Sequence, residues 1–196
     1  MLDRAVRALE DAHAASSDFD LNPDVALPEG RKLRPAGVLI AVEKTGDDWF
    51  IYLTKRSSAL KHHPGQVAFP GGKQDDGDTD IAATALREAQ EEIGLPYANV
   101  TVLGELPFHE TVTSFRVTPV LARVDTAFDI TREPGEVDEV FTVPLSHVLD
   151  PTSFLVQSRR WQGRQRSYYV VPYGPYYIWG ATARILRGWA DAVHNL

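Results

Sequence analysis

Glu88, Glu91 and Glu92 stand at i, i+3 and i+4 in the run Arg87-Glu88-Ala89-Gln90-Glu91-Glu92-Ile93-Gly94-Leu95. On an α-helix that spacing gathers three carboxylates onto one strip of surface. Such a strip costs stability. Like charges at this separation repel by about 0.2–0.5 kcal/mol per pair. Glu91 and Glu92 also fall in the last turn, at the negative end of the helix dipole. A segment that breaks two local rules at once is expected to serve function, and the simplest compensation is a divalent cation.

The helix that carries them runs from Asp78 or Asp80, either of which can act as N-cap, to the stop at Gly94 and Pro96. On a helical wheel Ile81, Ala82, Ala85, Leu86, Ala89 and Ile93 fill an apolar arc of roughly 140°. Glu92 falls inside one edge of that arc, Glu88 just outside it, and Glu91 a little further round. The carboxylates therefore flank the buried face and should line the mouth of a cleft. A solvated charge run would sit opposite the apolar arc instead.

Around this helix the chain reads as alternating strands and turns. Leu2, Val6 and Leu9 are spaced for a short amphipathic helix, and a polar, proline-containing stretch from Asp18 to Pro35 connects it to the rest. Gly37–Val42 and Trp49–Thr54 flank a Gly-Asp-Asp turn and predict a β-hairpin. Val67-Ala68-Phe69 is a short strand leading into Pro70-Gly71-Gly72. Asn99–Leu106, Phe115–Val124 and Val137–Val143 predict three further strands. Phe154–Arg160 and Tyr168–Val171 form a second hairpin around Gln162-Gly163. A helical repeat runs from Ile178 through Ala181, Ile185, Leu186 and Trp189 to Val193. The fold class is α/β (α+β): a mixed β-sheet between helices, in α/β/α order. Residues 1–35 are the N-terminal helix and connecting segment, and 36–196 the main domain.

Composition narrows the function classes. The 196 residues are 43% apolar, enough for one substantial core. No apolar run is long enough for a membrane span, and the N-terminus lacks the apolar core of an export signal. Zero cysteines exclude disulfides, thiolate nucleophiles and cysteine zinc sites. A formal charge of −7 disfavours nucleic acid as a partner. A phosphorylated small molecule stays compatible if a metal and a local basic patch neutralise it. The composition, with a C-terminus that is no Ser-Lys-Leu address, predicts a cytoplasmic protein. The Trp- and Tyr-rich C-terminal third packs either internally or against a second copy, which leaves a homodimer open.

The acidic helix resembles the Nudix box, Gly-x5-Glu-x7-Arg-Glu-U-x-Glu-Glu-x-Gly-U with U a bulky apolar residue. Arg87 to Leu95 match position for position, except that Ala89 fills the first U. Counting from Gly72, Asp78 takes the Glu position, and the spacing to Arg87 is one residue longer than the general pattern. A second stretch, Leu53-Thr54-Lys55-Arg56-Ser57-x3-Lys61-x3-Gly65-x3-Phe69-Pro70-Gly71-Gly72, resembles the extra motif of the coenzyme A pyrophosphatase branch, which is similar in its longer loop too. Val117–Val120, Glu136–Val140 and Tyr177–Ala183 also look like segments of that branch. The resemblance spans Gly37 to Leu186.

It implies a Nudix-type sandwich and hydrolysis of a nucleoside diphosphate linked to a further group. For that branch the reaction is metal-dependent cleavage of coenzyme A, or a derivative, into 3′,5′-ADP and 4′-phosphopantetheine. Broad activity on ADP-ribose, NADH or nucleoside triphosphates, or a catalytically silent binding module, are the alternatives. The implied metal ligands are Glu88 and Glu92, with Glu91 as a third carboxylate or as the group that positions water, and the carbonyl of Gly72. Arg87, four residues before Glu91, is placed to orient that carboxylate. For the general base Glu136 leads over Glu133 and Glu139; activation by the cation alone is equally compatible. Lys55, Arg56 and Lys61 are expected to select substrate, a cation matching the 3′-phosphate of coenzyme A. His62 and His63 read as loop residues, one of them near phosphate. The tyrosines at 168, 169, 173, 176 and 177 serve either core packing or adenine stacking.

Overall fold

The computed structural model describes residues 1–11, 14–25, 30–61, 63–161 and 163–196. The strands at its centre are β2 (Arg34–Thr45) and β3 (Asp48–Arg56), the predicted hairpin, closed by a turn at Gly46. Parallel to β2 on its other side runs β8 (Phe115–Val124), while β9 (Val137–Pro144) pairs antiparallel with β3. Short strands complete the layer. The strands β4 (Val67–Ala68), β5 (Gly71–Lys73), β6 (Val100–Glu105) and β7 (His109–Glu110) pair with β3, β2, β8 and β8 respectively, and β1 (Ser16–Ser17) runs parallel to β7. The result is a nine-stranded mixed sheet.

Alternation along β2 assigns the two faces. Leu39 and Ala41 point into a cluster with Ala85, Ala89 and Ile93 of the helix α2 (Ile81–Ile93). Ile40 and Val42 point the other way, into a larger cluster. That cluster holds Leu2, Ala5 and Ala8 of α1 (Leu2–Asp11) and Ile185, Leu186 and Trp189 of α4 (Ala181–His194). Helices therefore cover both faces, as the pattern of apolar residues predicts. The buried indole Nε1 of Trp189 donates to the carbonyl of Ala5 at 3.0 Å and so ties the N-terminal helix to the C-terminal one.

The C-terminal region departs from the sequence reading. Tyr176–Trp179 is a strand, β12, and α4 begins only after Gly180, three residues later than its apolar repeat suggests. Ile178 belongs to the apolar repeat but is buried from a strand. Gly180 takes φ 67°, a left-handed turn that breaks the chain between strand and helix. With β10 (Leu155–Trp161) and β11 (Arg164–Tyr173), β12 makes a separate three-stranded antiparallel sheet. A one-turn helix, α3 (Leu145–Val148), links the two sheets. No helix among the described residues is long and apolar enough to cross a membrane.

Candidate active site

The helix α2 is fixed by local chemistry at both ends. Asp80 is the N-cap, its side chain accepting from the Ala83 amide at 2.7 Å. At the other end Gly94 adopts φ 75°, and the amides of Gly94 and Leu95 return to the carbonyls of Gln90 and Ala89. The segment after β8 then crosses this end: Thr131 N–H donates to Ile93 O and Glu133 N–H to Glu92 O, each at 3.1 Å. Carbonyls that a helix normally leaves open are closed here by a loop. The same loop carries Glu136 towards the carboxylates.

Asp78, the other capping candidate, does something different. It receives a two-pronged ion pair from Arg87, with Nε at 2.9 Å and Nη2 at 3.0 Å, and also accepts from Thr84 Oγ1 and the Asp75 amide. Its side chain is 7% exposed, and the Arg87 guanidinium holds its carboxyl well below the usual range. Arg87 reaches further, with Nη1 3.0 Å from both Glu88 and Glu91 and Nη2 3.2 Å from Lys73 O. One arginine thus connects the loop after Gly72 to two of the three helix carboxylates.

Those carboxylates occupy three environments, in the order the wheel predicts. Glu92 is only 3% exposed, and its Oε2 accepts from the Gly71 amide at 3.2 Å. Burial pushes its carboxyl up to about 8, and the charges of Glu88 and Glu136 push the same way. The Gly71 amide and the charge of Arg56 offset part of this. Glu88 is also raised, first by burial and then by Glu91 and Glu136, against the pull of Arg87. Glu91 is 59% exposed and held by Arg87. Gly72 lies flush against Glu88: a Cβ at that position would come within 2.5 Å of the Glu88 carboxylate carbon. Any side chain there would displace the carboxylate.

The remaining predicted residues are brought in to different degrees. Arg56 ends β3, bonded through its backbone to Gln66, and its charge is felt at Glu92. Glu136 is exposed, its carbonyl accepting from the Ser57 amide at 2.8 Å, and its charge acts on both Glu88 and Glu92. Glu139 is engaged by the Tyr176 hydroxyl, and Glu133 closes the turn to Glu136 and Val137 through its carbonyl. Lys55 acts on Asp138, and Lys61 is exposed on the connecting loop. His62 lies outside the described residues. A recess of about 340 Å³ at the β10–β11 turn, lined by Ser158, Arg159, Arg160, Gly163 and Gln165, contains none of the predicted site residues.

A buried carboxyl, Glu92, and a half-buried one, Glu88, both raised first by burial, lie beside the glycine turn with the charge of Arg56 in reach, an oxygen-rich site along α2. Residues 32–165, more than half of the chain, match the model of the NUDIX domain. The chain belongs to the Nudix hydrolase family. It is 42% identical over 145 residues to an uncharacterized Nudix hydrolase, NudL, of Photorhabdus laumondii, covering 73% of this chain and 76% of that one. A NudL of Cronobacter sakazakii is 39% identical over 154 residues, 79% of this chain and 80% of its own. Among solved structures, a MutT/nudix family protein from Enterococcus faecalis superposes with a TM-score of 0.52 at 14% identity, over 88% of this chain and 66% of that one. An Ap4A hydrolase from C. elegans gives 0.50 at 19% identity, over 57% and 80%. These two likenesses speak to the fold alone.

This Nudix hydrolase is thus an enzyme acting on phosphoric anhydride bonds of small molecules, in a family that generally uses divalent metal ions. The donor set fits such an ion: it is oxygen only and carboxylate-rich, and burial raises the carboxyls of Glu88 and Glu92, a cost that a bound cation would offset. Among the described residues no three carboxylates or imidazoles already stand at mutual ligand spacing. The side chain of Glu91 is drawn to Arg87. That pair is solvent-exposed and worth under about 1 kcal/mol, so releasing Glu91 is cheap.

Proposed function

We propose that the protein is a divalent-metal-dependent pyrophosphohydrolase that cleaves the diphosphate of coenzyme A or a close derivative, releasing 3′,5′-ADP and a 4′-phosphopantetheine. The observation that carries this reading is the hydrogen bond from the Gly71 amide, at the end of the coenzyme A-type motif, to Glu92 of the acidic helix at 3.2 Å, with the charge of Arg56 from the same motif also acting on Glu92. The substrate-selecting motif and the metal-type carboxylates then belong to one site.

Glu88, Glu92 and the Gly72 carbonyl would hold Mg²⁺ or Mn²⁺, with Glu91 as a further ligand. When bound, such an ion neutralises charge on the diphosphate oxygens. The protein's own residues do the rest. Arg87 orients Glu88 and Glu91 and is itself locked by Asp78. Glu136 is the general base that takes a proton from the attacking water; its exposure leaves its carboxylate open to that water, and its charge reaches both buried glutamates. Glu139 is the weaker candidate because Tyr176 occupies it. Arg56 and Lys61 bind the 3′-phosphate, and Lys55 supports that end electrostatically.

Initial rates on coenzyme A and on its dephospho form test the assignment. Replacing Arg56 or Lys61 with Ala should weaken coenzyme A by at least about tenfold, the equivalent of one charge-assisted hydrogen bond, and leave the dephospho form nearly unchanged. Equal losses on both would move these residues to a structural role. Faster turnover of ADP-ribose, NADH or nucleoside triphosphates would refute the substrate.

A further inference from the structure

The hairpin made by β10 and β11 is built for a contact that one chain does not supply. Every residue from Leu155 to Arg160 is exposed, so β10 is solvent-facing on both of its sides. Leu155 and Val156 are 51% and 57% exposed, and Tyr177 beside them is also open. Among the described residues β10 pairs with β11 alone, and its outer edge has no strand against it. A long open edge with exposed apolar side chains invites another strand.

The charge pattern identifies that strand. Residues 155–168 hold four arginines, Arg159, Arg160, Arg164 and Arg166, and no carboxylate, on a chain of net charge −7. Arg159 stands directly opposite Arg166 in the register. Arg159 lies over the Trp179 ring at 4.6 Å from its centre. Tyrosine, tryptophan and arginine on one open surface is the composition of an interface centre. At the base of β10 the sign reverses: Asp150 is exposed, two residues before Thr152, whose amide and hydroxyl it accepts.

We propose that β10 pairs antiparallel with β10 of a second copy of this chain, about a two-fold axis at Gln157. In that register Gln157 meets itself, Leu155 lies under the stem of Arg159 of the second copy, and Val156 meets Ser158. No two arginines of the joined strands stand opposite each other. The Tyr177 hydroxyl donates to Gln157 Oε1 at 2.6 Å, which leaves the Gln157 amide nitrogen to donate across the axis. Antiparallel pairing also carries the arginine-rich tip of each hairpin to the Asp150 end of the other. The two three-stranded sheets become one of six strands, and the contact is isologous, so it closes at a dimer.

The chain has no native cysteine, so a single introduced one can cross-link only between copies. Gln157→Cys should form a covalent dimer under mild oxidation, because opposed residues of an antiparallel pair lie about 4.5–5.5 Å apart at Cα, within disulfide reach. Light scattering of the native chain should give twice the monomer mass. Val156→Lys, at an exposed position, should give the monomer with unchanged circular dichroism. Asp150→Arg should also dissociate the dimer, and adding Arg164→Asp should restore it, as charge exchange across the interface requires. A native chain that stays monomeric across a wide concentration range overturns the proposal. So does a dimer that survives Val156→Lys and gives no Gln157→Cys cross-link, since the contact would then lie elsewhere.

Discussion

Glu92 holds the sharpest conflict between stability and function in the molecule. Without a metal, burial pushes its carboxyl up to about 8, whereas the same group in the unfolded chain titrates near the ordinary glutamate value of about 4.5. The folded state therefore binds more protons between those two values, and stability falls as pH rises across the window. Below it both states are protonated and the contribution vanishes; above it the full penalty applies. Chemical denaturation of the metal-free protein should show Glu92→Gln more stable than the native chain at pH 8, with the two converging near pH 4.5. The same variant should lose at least roughly 10²-fold in turnover, because a charge-stabilising group is gone. Near-native turnover would remove Glu92 from the metal site. Asp78 is the opposite case, its carboxyl depressed by Arg87. Asp78→Asn should cost about 1–3 kcal/mol in denaturant unfolding and lower activity indirectly, through a misdirected Glu88. The triad of helix glutamates was legible from spacing. The partner of Arg87 was only half legible: the resemblance marked position 78, but nothing local distinguishes a cap from an ion-pair acceptor.

At the scale of elements, α2 works because strands approach it without side chains in between. A Cβ on Gly37 of β2 would meet the Ile81 carbonyl at 2.6 Å, and one on Gly72 of β5 would meet Glu88. Gly72→Ala should therefore fold, yet bind Mn²⁺ at least about tenfold more weakly by calorimetric titration; unchanged affinity would show that the Glu88 contact is dispensable. Elements with a strong period were readable: β2, β3, α1 and α2 lie where their patterns predict. Two-residue strands such as β1 and β7 carry no period at all. The strand β12 was hidden because Ile178 falls in phase with the α4 repeat, although Gly174-Pro175 before it is a turn signal. The closing of α2 by Thr131 and Glu133 was equally invisible, being made by backbone amides 38 and 41 residues beyond their acceptors, in a segment without pattern.

For the whole molecule, the mixed sheet places Arg56 at the end of β3, the glycine turn and the acidic helix at one rim, because β3, β5 and the crossing loop all end there. The outer layer is part of that frame. Removing residues 1–11 would uncover the cluster around Ile185 and Leu186 and leave Trp189 Nε1 without its acceptor, so the truncated chain should melt several degrees lower. An unchanged melting temperature would make α1 an ornament. In the proposed function, cation, carboxylates and coenzyme A meet in one reaction. Its most direct test is chromatography of coenzyme A incubated with the native protein and with Glu92→Gln, in Mg²⁺ or Mn²⁺ and in EDTA. 3′,5′-ADP and phosphopantetheine should form with the native protein and metal only. Intact coenzyme A in every incubation, or cleavage that persists in EDTA, would contradict it.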